Sequence, residues 1–351
     1  MVVKASVLRP AEWVQRTVRR SLEAAGACSE AAEAMANAIT EAHLRGVETH
    51  GLRRLHPYIA RIRSGGVDAK AHPTTVQHRA IVNIDGQNGI GHYVATCAAR
   101  AVSATARQFG IAIALVRNSN HFGFAGYYGT LIAEHGQIAI VTSNGQVCVG
   151  PEGARKSFLS NNPLAIVAPS GRKDFPLEVD LAMSVTSRAH IVEAARSGTM
   201  LPYGWAQDSQ GKPTRDPTAA LAGSLLAFGG GKGFGLLVAL EALTGVLAGG
   251  AYADQVSSKE TAPNTPEGTA HTMIAVDLGM ALGSEAYSQR LDNLLERLRA
   301  LPTSPDATPI RYPGERRSKL RLQRLREGIP LTEGELKELL STAEDLDVKT
   351  T

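Results

Sequence analysis

Two histidines stand in settings that could move a proton onto or off a small substrate. His121 lies in Arg117-Asn118-Ser119-Asn120-His121-Phe122-Gly123-Phe124-Ala125-Gly126-Tyr127-Tyr128, after an apolar run with strand character at 111–116 and before a helix-like pattern through Leu131, Ile132 and Ala133. The imidazole is thus expected at a strand's exit, among amides and glycines, where a small ligand can approach the backbone closely. A single histidine in such a place is also a common satisfied structural group. His50 lies in Gly46-Val47-Glu48-Thr49-His50-Gly51-Leu52-Arg53-Arg54-Leu55, where a hydroxyl, an imidazole and two guanidiniums crowd beside glycines. Such a group can hold a carboxylate and supply a proton. The plainer alternative has Thr49 capping the next helix, with Leu52, Leu55, Ile59 and Ile62 facing a core and the arginines facing solvent.

Two glycine-rich stretches offer phosphate chemistry. Asp85-Gly86-Gln87-Asn88-Gly89-Ile90-Gly91 follows a strand pattern at 80–84 and precedes a helical one through Ala106, the order of a dinucleotide fingerprint. The spacing is wrong: Val94 occupies the third glycine's position, and no acid follows the next strand to take a ribose hydroxyl, so the stretch reads as a turn and helix entry. Phe228-Gly229-Gly230-Gly231-Lys232-Gly233-Phe234-Gly235 places free amides, a lysine and a helix start together, which suits a phosphate. It is no P-loop, because Leu226 stands for the first glycine and Gly233 for the magnesium-binding hydroxyl. Kinase and ATPase chemistry are therefore disfavoured, while a cofactor's pyrophosphate is compatible.

The elements that must position these groups alternate short strands and helices. Helical spacing links Trp13, Val14, Val18 and Leu22, then Met35, Ala38, Ile39 and Ala42 behind Ser29 as cap, with Gly46 as stop. Strands are predicted at 138–141, ahead of Ser143, at 164–167, after Ser160-Asn161-Asn162-Pro163, and near Glu178-Val179-Asp180-Leu181-Ala182-Met183-Ser184. Polar residues at strand ends are where α/β folds bind ligands, although Asn and Ser there are also ordinary turn formers. Later come a strand at 273–278, a helix near 284–300, a Pro/Thr/Ser-rich linker at 301–309, and a last helix with a capping-box pattern at Thr332 and Glu335.

Composition excludes other classes. The 351 residues are 43% hydrophobic, enough for a buried core, and 37 Lys plus Arg against 33 Asp plus Glu leave a formal charge of only +4. That excess does not point to nucleic acid; the basic run Arg316, Arg317, Lys319, Arg321, Arg324 and Arg326 reads as a solvated helix face. Cys28, Cys97 and Cys148 show no metal-ligand spacing and leave an odd count, so neither a metal site nor a disulfide framework is expected. Residues 1–10 hold no long apolar run, so a secretory signal is not expected, and the one membrane-like run, 234–253, contains Glu241 and glycines and reads as a buried helix. A cytoplasmic protein is expected, with no membrane and no nucleic-acid partner.

Seven motifs in one order then make a resemblance. Thr49-His50-Gly51-Leu52-Arg53, Asn118-Ser119-Asn120-His121-Phe122-Gly123, Asn162-Pro163, Leu201-Pro202-Tyr203-Gly204-Trp205, Pro213-Thr214-Arg215-Asp216-Pro217, Gly230-Gly231-Lys232-Gly233 and Pro313-Gly314-Glu315 resemble the malate/L-lactate dehydrogenase family of the non-Rossmann type. That family also contains ureidoglycolate, sulfolactate and diketogulonate oxidoreductases and cyclic imino-acid reductases. The resemblance spans about residues 10–340.

It implies a non-Rossmann α/β fold, a mostly antiparallel sheet flanked by helices, with a helical region built from both chain ends. The implied division is 1–75, helical with the substrate motif; 76–284, nucleotide-binding; and 285–351, helices packing back on the first region. It implies an oxidoreductase using NAD or NADP, a small carboxylate substrate and a homodimer. Carried onto this sequence, the proton-transfer residues are His50 and His121, with Thr49 and Arg53 meeting the substrate. The cofactor contacts are Ser143, the segment Glu178, Val179, Asp180, Leu181, Ala182, Met183 and Ser184, then Gly231 and Lys232, and Pro313, Gly314 and Glu315. This chain departs from the family pattern at Glu48-Thr49, at Ser187-Arg188-Ala189-His190 and at Ser160-Asn161, which bears on substrate and cofactor preference. Two readings follow: hydride transfer to or from a 2-oxo/2-hydroxy acid or a cyclic imino acid, or a nucleotide-binding relative without turnover that acts as an interaction protein.

Overall fold

The computed structural model describes residues 6–258 and 261–350. Strand β1 (Ser6–Arg9) leads into α1 (Ala11–Ala24), whose Val14, Val18 and Leu22 fall on one face and are fully buried. Helix α2 (Ser29–Leu44) starts behind Cys28 rather than behind Ser29; Ser29 is already helical, and its hydroxyl donates to Glu23 Oε1 at 3.3 Å. Two 3-10 turns, Glu48–His50 and Leu52–Arg54, then enter α3 (Leu55–Arg63). Thr49 caps no helix, because its hydroxyl lies 3.0 Å from His50 Nδ1.

The middle of the chain builds a seven-stranded sheet. Its strands are β2 (Thr74–His78), β3 (Ile81–Asp85), β4 (Ile111–Ser119), β5 (Gln137–Ser143), β6 (Leu164–Ala168), β7 (Leu177–Leu181) and, much later, a long strand at Thr269–Asp277. Helix α4 (Gly91–Phe109) crosses between β3 and β4, the one parallel pair, and α5 (Ala125–Ala133) links β4 to β5. A run of α6 (Arg188–Ser197), β8 (Ala206–Gln207), β9 (Pro213–Thr214), α7 (Pro217–Ala222), β10 (Ser224–Leu225) and α8 (Gly231–Glu241) separates β7 from that late strand, β11. The sheet order is β2-β3-β4-β11-β5-β6-β7, antiparallel apart from β3–β4. Alternation along the central strands turns Ala112, Ala114, Val116, Ala139, Val141, Met273 and Ala275 into one core with Ala95, Ala98, Ala99, Val102 and Ala106 of α4. So many alanines on both sides let the helix lie close to the sheet.

After β11 come α9 (Ser284–Arg299), α10 (Glu315–Glu327), β12 (Ile329–Thr332) and α11 (Glu333–Glu344). Strand β12 pairs antiparallel with β1, and Trp13 Nε1 donates to Thr350 O at 2.7 Å, so the two ends of the chain share one hydrophobic cluster. The capping box at Thr332 and Glu335 forms in both directions.

Two further expectations need correction. The run 234–253 is not a buried helix: α8 gives way to a π-helical stretch, Ala242–Val246, and Leu236, Val238, Leu243, Val246 and Leu247 are exposed. Only one side of it, through Leu237, Leu240 and Thr244, reaches the core. Nor is α10 a merely solvated basic face. Arg317, Arg321 and Arg324, spaced four and three apart, turn inward onto Glu178 and Asp180, onto Glu41, and onto Glu48. No helix of the described residues is long and apolar enough to cross a membrane.

Candidate active site

The loop carrying His121 leaves the sheet through a bulge. Val116 pairs with His271 and Ser119 with Thr269, so β4 holds one more residue than β11 across that interval, and Asn118 takes a left-handed φ of 53°. The bulge re-aims the chain towards the start of α4, where Gly91 leaves room that a Cβ would fill against the carbonyls of Asn120 and His121. Asn120 ties the loop down, donating to Gly89 O and Asn88 Oδ1, both at 2.9 Å, and accepting from Arg61 Nη2 at 3.1 Å. The His121 backbone N–H donates to Glu267 Oε2 at 3.1 Å, and Glu267 is paired with buried Arg61 at 3.6 Å.

Beneath the loop a buried histidine joins three strands. His271 Nδ1 lies 2.8 Å from Ser143 Oγ and its Nε2 2.8 Å from Ser119 Oγ, while its ring stacks on Phe122 at 4.4 Å. Burial holds His271 neutral, its pKa pushed down to about 3. The Ser143 hydroxyl also donates to Asn144 O at 2.7 Å, so it accepts from His271 Nδ1–H.

His50 is placed from the other side. Leu52 N–H donates to His43 Nε2 at 3.0 Å, and a Cβ on Gly51 would come 2.5 Å from the His43 ring, so the ring fits under the turn only beside glycine. Burial lowers the His43 pKa against the opposing pull of Glu335 and Glu48, which keeps Nε2 an acceptor. Arg324 donates to His43 O and, at 3.1 Å, to Glu48 Oε1.

These two constructions meet in one cavity of about 290 Å³. The His50 and His121 rings lie parallel, centroids 5.9 Å apart. Thr49, Arg54, Ser143, Asn144, Asp180, Leu181, Ala182 and Ser184 line the same cavity, with Arg188 and Arg317 at its wall. The Asp180 carboxyl is pushed above its ordinary range by burial and by Glu178, against the pull of Arg317 3.2 Å away.

Other residues singled out from the sequence stand elsewhere. Arg53 is drawn out of the cavity by Glu335, at 3.4 Å, and Arg54 takes the place beside Thr49, donating to Thr49 O at 3.1 Å. Glu178 is buried between Arg45 and Arg317, Val179 is not among the residues lining the cavity, and Met183 is fully buried in a separate core. Pro313 and Gly314 pack on the outside of β7, where Pro313 O accepts from Glu178 N–H at 3.1 Å, and Glu315 pairs with Lys319 and Arg299. Gly231 and Lys232 open α8 on the surface, four and five residues beyond Ala227, which bridges to cavity-lining Ser184. Tyr58, whose Oη lies 2.6 Å from His121 Nδ1, was missed, as were Glu267 and the inward role of Arg317. A second cavity, of about 580 Å³, lies across Arg317 and Glu178, its Arg45, Arg317 and Arg321 already matched by carboxylates.

The lining fits a nicotinamide dinucleotide. Hydroxyls and amides at the ends of β5 and β7 suit a carboxamide and ribose, and Gly229 and Gly230, both at positive φ with open space where a Cβ would be, expose backbone to a phosphate. Among the described residues no group of three or more His, Cys, Asp and Glu is placed to hold a metal.

A mixed sheet outside the parallel-stranded dinucleotide folds, with paired histidines in a hydroxyl-lined cavity, defines a nicotinamide-dependent oxidoreductase of α/β class. The chain belongs to the malate/L-lactate dehydrogenase family, which it matches over residues 10–340. It is 32% identical over 342 residues to the L-sulfolactate dehydrogenase of Methanothermobacter thermautotrophicus, covering 97% of each chain. It is 36% identical over 320 residues to the Delta(1)-pyrroline-2-carboxylate/Delta(1)-piperideine-2-carboxylate reductase of Pseudomonas putida, covering 89% of this chain and 91% of that one. In structure it is similar to the sulfolactate dehydrogenase from Methanocaldococcus jannaschii, with a TM-score of 0.89 at 28% identity over 98% of both chains.

Proposed function

We propose that this enzyme interconverts a small 2-oxo and 2-hydroxy acid, or a cyclic imino and amino acid, with His50 as the proton donor and His121 holding the reacting oxygen or nitrogen. The observation that carries this reading is the parallel pair of imidazoles in one cavity with Ser143, Asp180, Leu181, Ala182 and Ser184. When bound, NADH or NADPH supplies the hydride. Arg54 is the candidate for the substrate carboxylate, and Thr49 fixes the His50 ring through Nδ1. Gly231 and Lys232, with the α8 start, are assigned to a cofactor phosphate. Relatives that act on malate, sulfolactate and cyclic imines support this range of substrates.

The working unit we propose is a homodimer, supported by the exposed apolar side of α8 and the π-helical stretch after it. A cytoplasmic location accords with three cysteines that form no disulfide.

The test is consumption of NADH and of NADPH with pyruvate, oxaloacetate, 3-sulfopyruvate and the two cyclic imines, repeated with His50→Ala. That substitution is expected to lower kcat by about two to four orders of magnitude with cofactor affinity nearly unchanged. Near-normal turnover in His50→Ala, together with loss in His121→Ala, reverses the two roles; no effect of either removes the assignment.

A further inference from the structure

A buried carboxylate beside the cavity is held by three convergent donors. Glu241, the last residue of α8, accepts on Oε1 from Ala253 N–H at 2.8 Å and from Asn144 Nδ2 at 3.2 Å, and on Oε2 from Asn162 Nδ2 at 2.7 Å. The direction of each bond is fixed independently. A backbone N–H can only donate; Asn144 takes the Ala270 N–H on Oδ1 at 2.8 Å, which turns its Nδ2 to Glu241; and Asn162 Nδ2 also donates to Leu237 O, at 3.2 Å. Both Glu241 oxygens are therefore acceptors, and among the described residues no Lys, Arg or His forms an ion pair with them. Burying a carboxylate without a counter-ion is unfavourable, and the three N–H groups offset that cost only while each keeps its place.

Two of those donors belong to the cavity wall. Asn144 lines the cavity just past the end of β5, and Asn162 is fully buried between Asn161 and Pro163, which line it just before β6. The third, Ala253, follows the π-helical stretch, whose Gly245 leaves the room this requires: a Cβ there would come 2.6 Å from Ala251 O and 2.8 Å from Asn144 Nδ2. We infer that Glu241 is a positioning residue for cofactor binding, locking these two strand ends to α8 so that the cavity and the helix start at Gly231 and Lys232 act as one unit. The inference rests on the oxidoreductase reading of the cavity and on the assignment of Lys232 to a cofactor phosphate.

Helix α8 carries the link. Lys232 and Glu241 are about 14 Å apart along its axis, at roughly 1.5 Å per residue, and Leu237 and Leu240 bury the side between them. Substitutions at independent sites that far apart add to within about twofold in a binding constant. Joined by one tethered helix they should not: once the tether is loosened, the helix start moves relative to the cavity and the Lys232 contact contributes less. Glu241→Gln loosens it without changing the size of the side chain. Its NH2 group must face either Asn162 Nδ2 or the Ala253 and Asn144 donors, and Asn162 cannot turn its amide over without giving up Leu237 O.

Titration of the full-length protein with NADH and with NADPH reads this link without any turnover. Glu241→Gln is expected to raise Kd for the tighter-binding cofactor roughly ten- to a hundredfold. Lys232→Ala should then cost at least about threefold less in the Glu241→Gln background than in the wild type. A role in stability alone would lower the melting temperature of Glu241→Gln and leave its Kd within about twofold of wild type, which overturns the inference. An equal cost of Lys232→Ala in both backgrounds also overturns it, as does Lys232→Ala without effect, which removes the phosphate assignment as well. Should Glu241→Gln not fold, Asn162→Gly takes its place in the same comparison, since it removes the Oε2 bond and accepts the φ of 23° at that position. If the wild type binds neither cofactor, the oxidoreductase reading fails, and nitrogen-15 spectra of asparagine-labelled protein decide the tether: the side-chain amide signals of Asn144 and Asn162 should both shift in Glu241→Gln, and unmoved signals would refute it.

Discussion

Gly51 shapes the turn that bears His50, the proposed proton donor. The His43 ring accepts from Leu52 N–H and lies where a Cβ of residue 51 would be, so the turn bearing His50 is shaped by a missing side chain. Gly51→Ala is expected to displace that ring or the turn, costing about 1–3 kcal/mol of stability by overpacking. It should also lower kcat more than it raises KM for cofactor. Chemical denaturation and steady-state kinetics on the same variant separate the two effects, and wild-type values in both would remove Gly51 from this role. At this scale the sequence showed which residue types gather, but not which neighbour each one faces. Arg53 and Arg54 are adjacent and chemically identical, and the choice between them is made by Glu335, a residue 282 positions from Arg53.

Helix α10 works as a clamp. Its Arg317, Arg321 and Arg324 reach β7, α2 and the His50 turn in succession, so one helix sets the distance between the cavity's Asp180 wall and its His50 wall. Glu41 illustrates the electrostatics: burial pushes its carboxyl up, but Arg321 and Arg45 together hold it below the ordinary range. Arg324→Ala removes two of the donors that hold the His50 turn, and should cut kcat at least tenfold at a stability cost of about 1–3 kcal/mol. Added guanidinium restoring turnover to Arg324→Ala, but not to His50→Ala, would identify positioning as the cause; equal turnover in Arg324→Ala and wild type would exclude it. Strands and helices themselves were legible, because apolar residues repeat every second or every third and fourth position. The clamp was not, since helical spacing of arginines looks the same whether water or carboxylates lie opposite. Likewise the apolar run 234–253 showed its hydrophobicity but not which side the rest of the molecule would leave uncovered.

For the whole molecule, buried neutral histidines set an acid limit. His92 and His271 have pKa values near 3 in the folded protein against 6.5 for the free group. Below about pH 6.5 the unfolded chain binds protons that the folded one refuses, so stability falls as pH drops towards 3, by about 1.4 kcal/mol per pH unit for each histidine. Melting temperature followed from pH 7 to 4 should show this decline, and His271→Gln should flatten it; an equal slope in the variant would mean His271 does not contribute. The apolar side of α8 carries the other molecular expectation. Sedimentation should return about twice the 37.1 kDa chain mass, and Leu243→Glu together with Val246→Glu should shift the protein towards monomer. A wild-type monomer with full activity would refute the dimer.

The pairing of β1 with β12 places in one layer two strands that leave the ribosome far apart in time. His50 emerges early, whereas Arg324, which holds its turn through Glu48 and His43, follows 274 residues later (324 − 50). At about 5–20 residues per second, that interval is roughly 14–55 s. During it the seven strands of the central sheet can already pair, while the turn bearing His50 lacks its clamp. Synthesis order thus delays the full clamp until α10 is in place, and a chain interrupted before α10 would carry both histidines without the guanidinium that ties Glu48 and the His43 carbonyl.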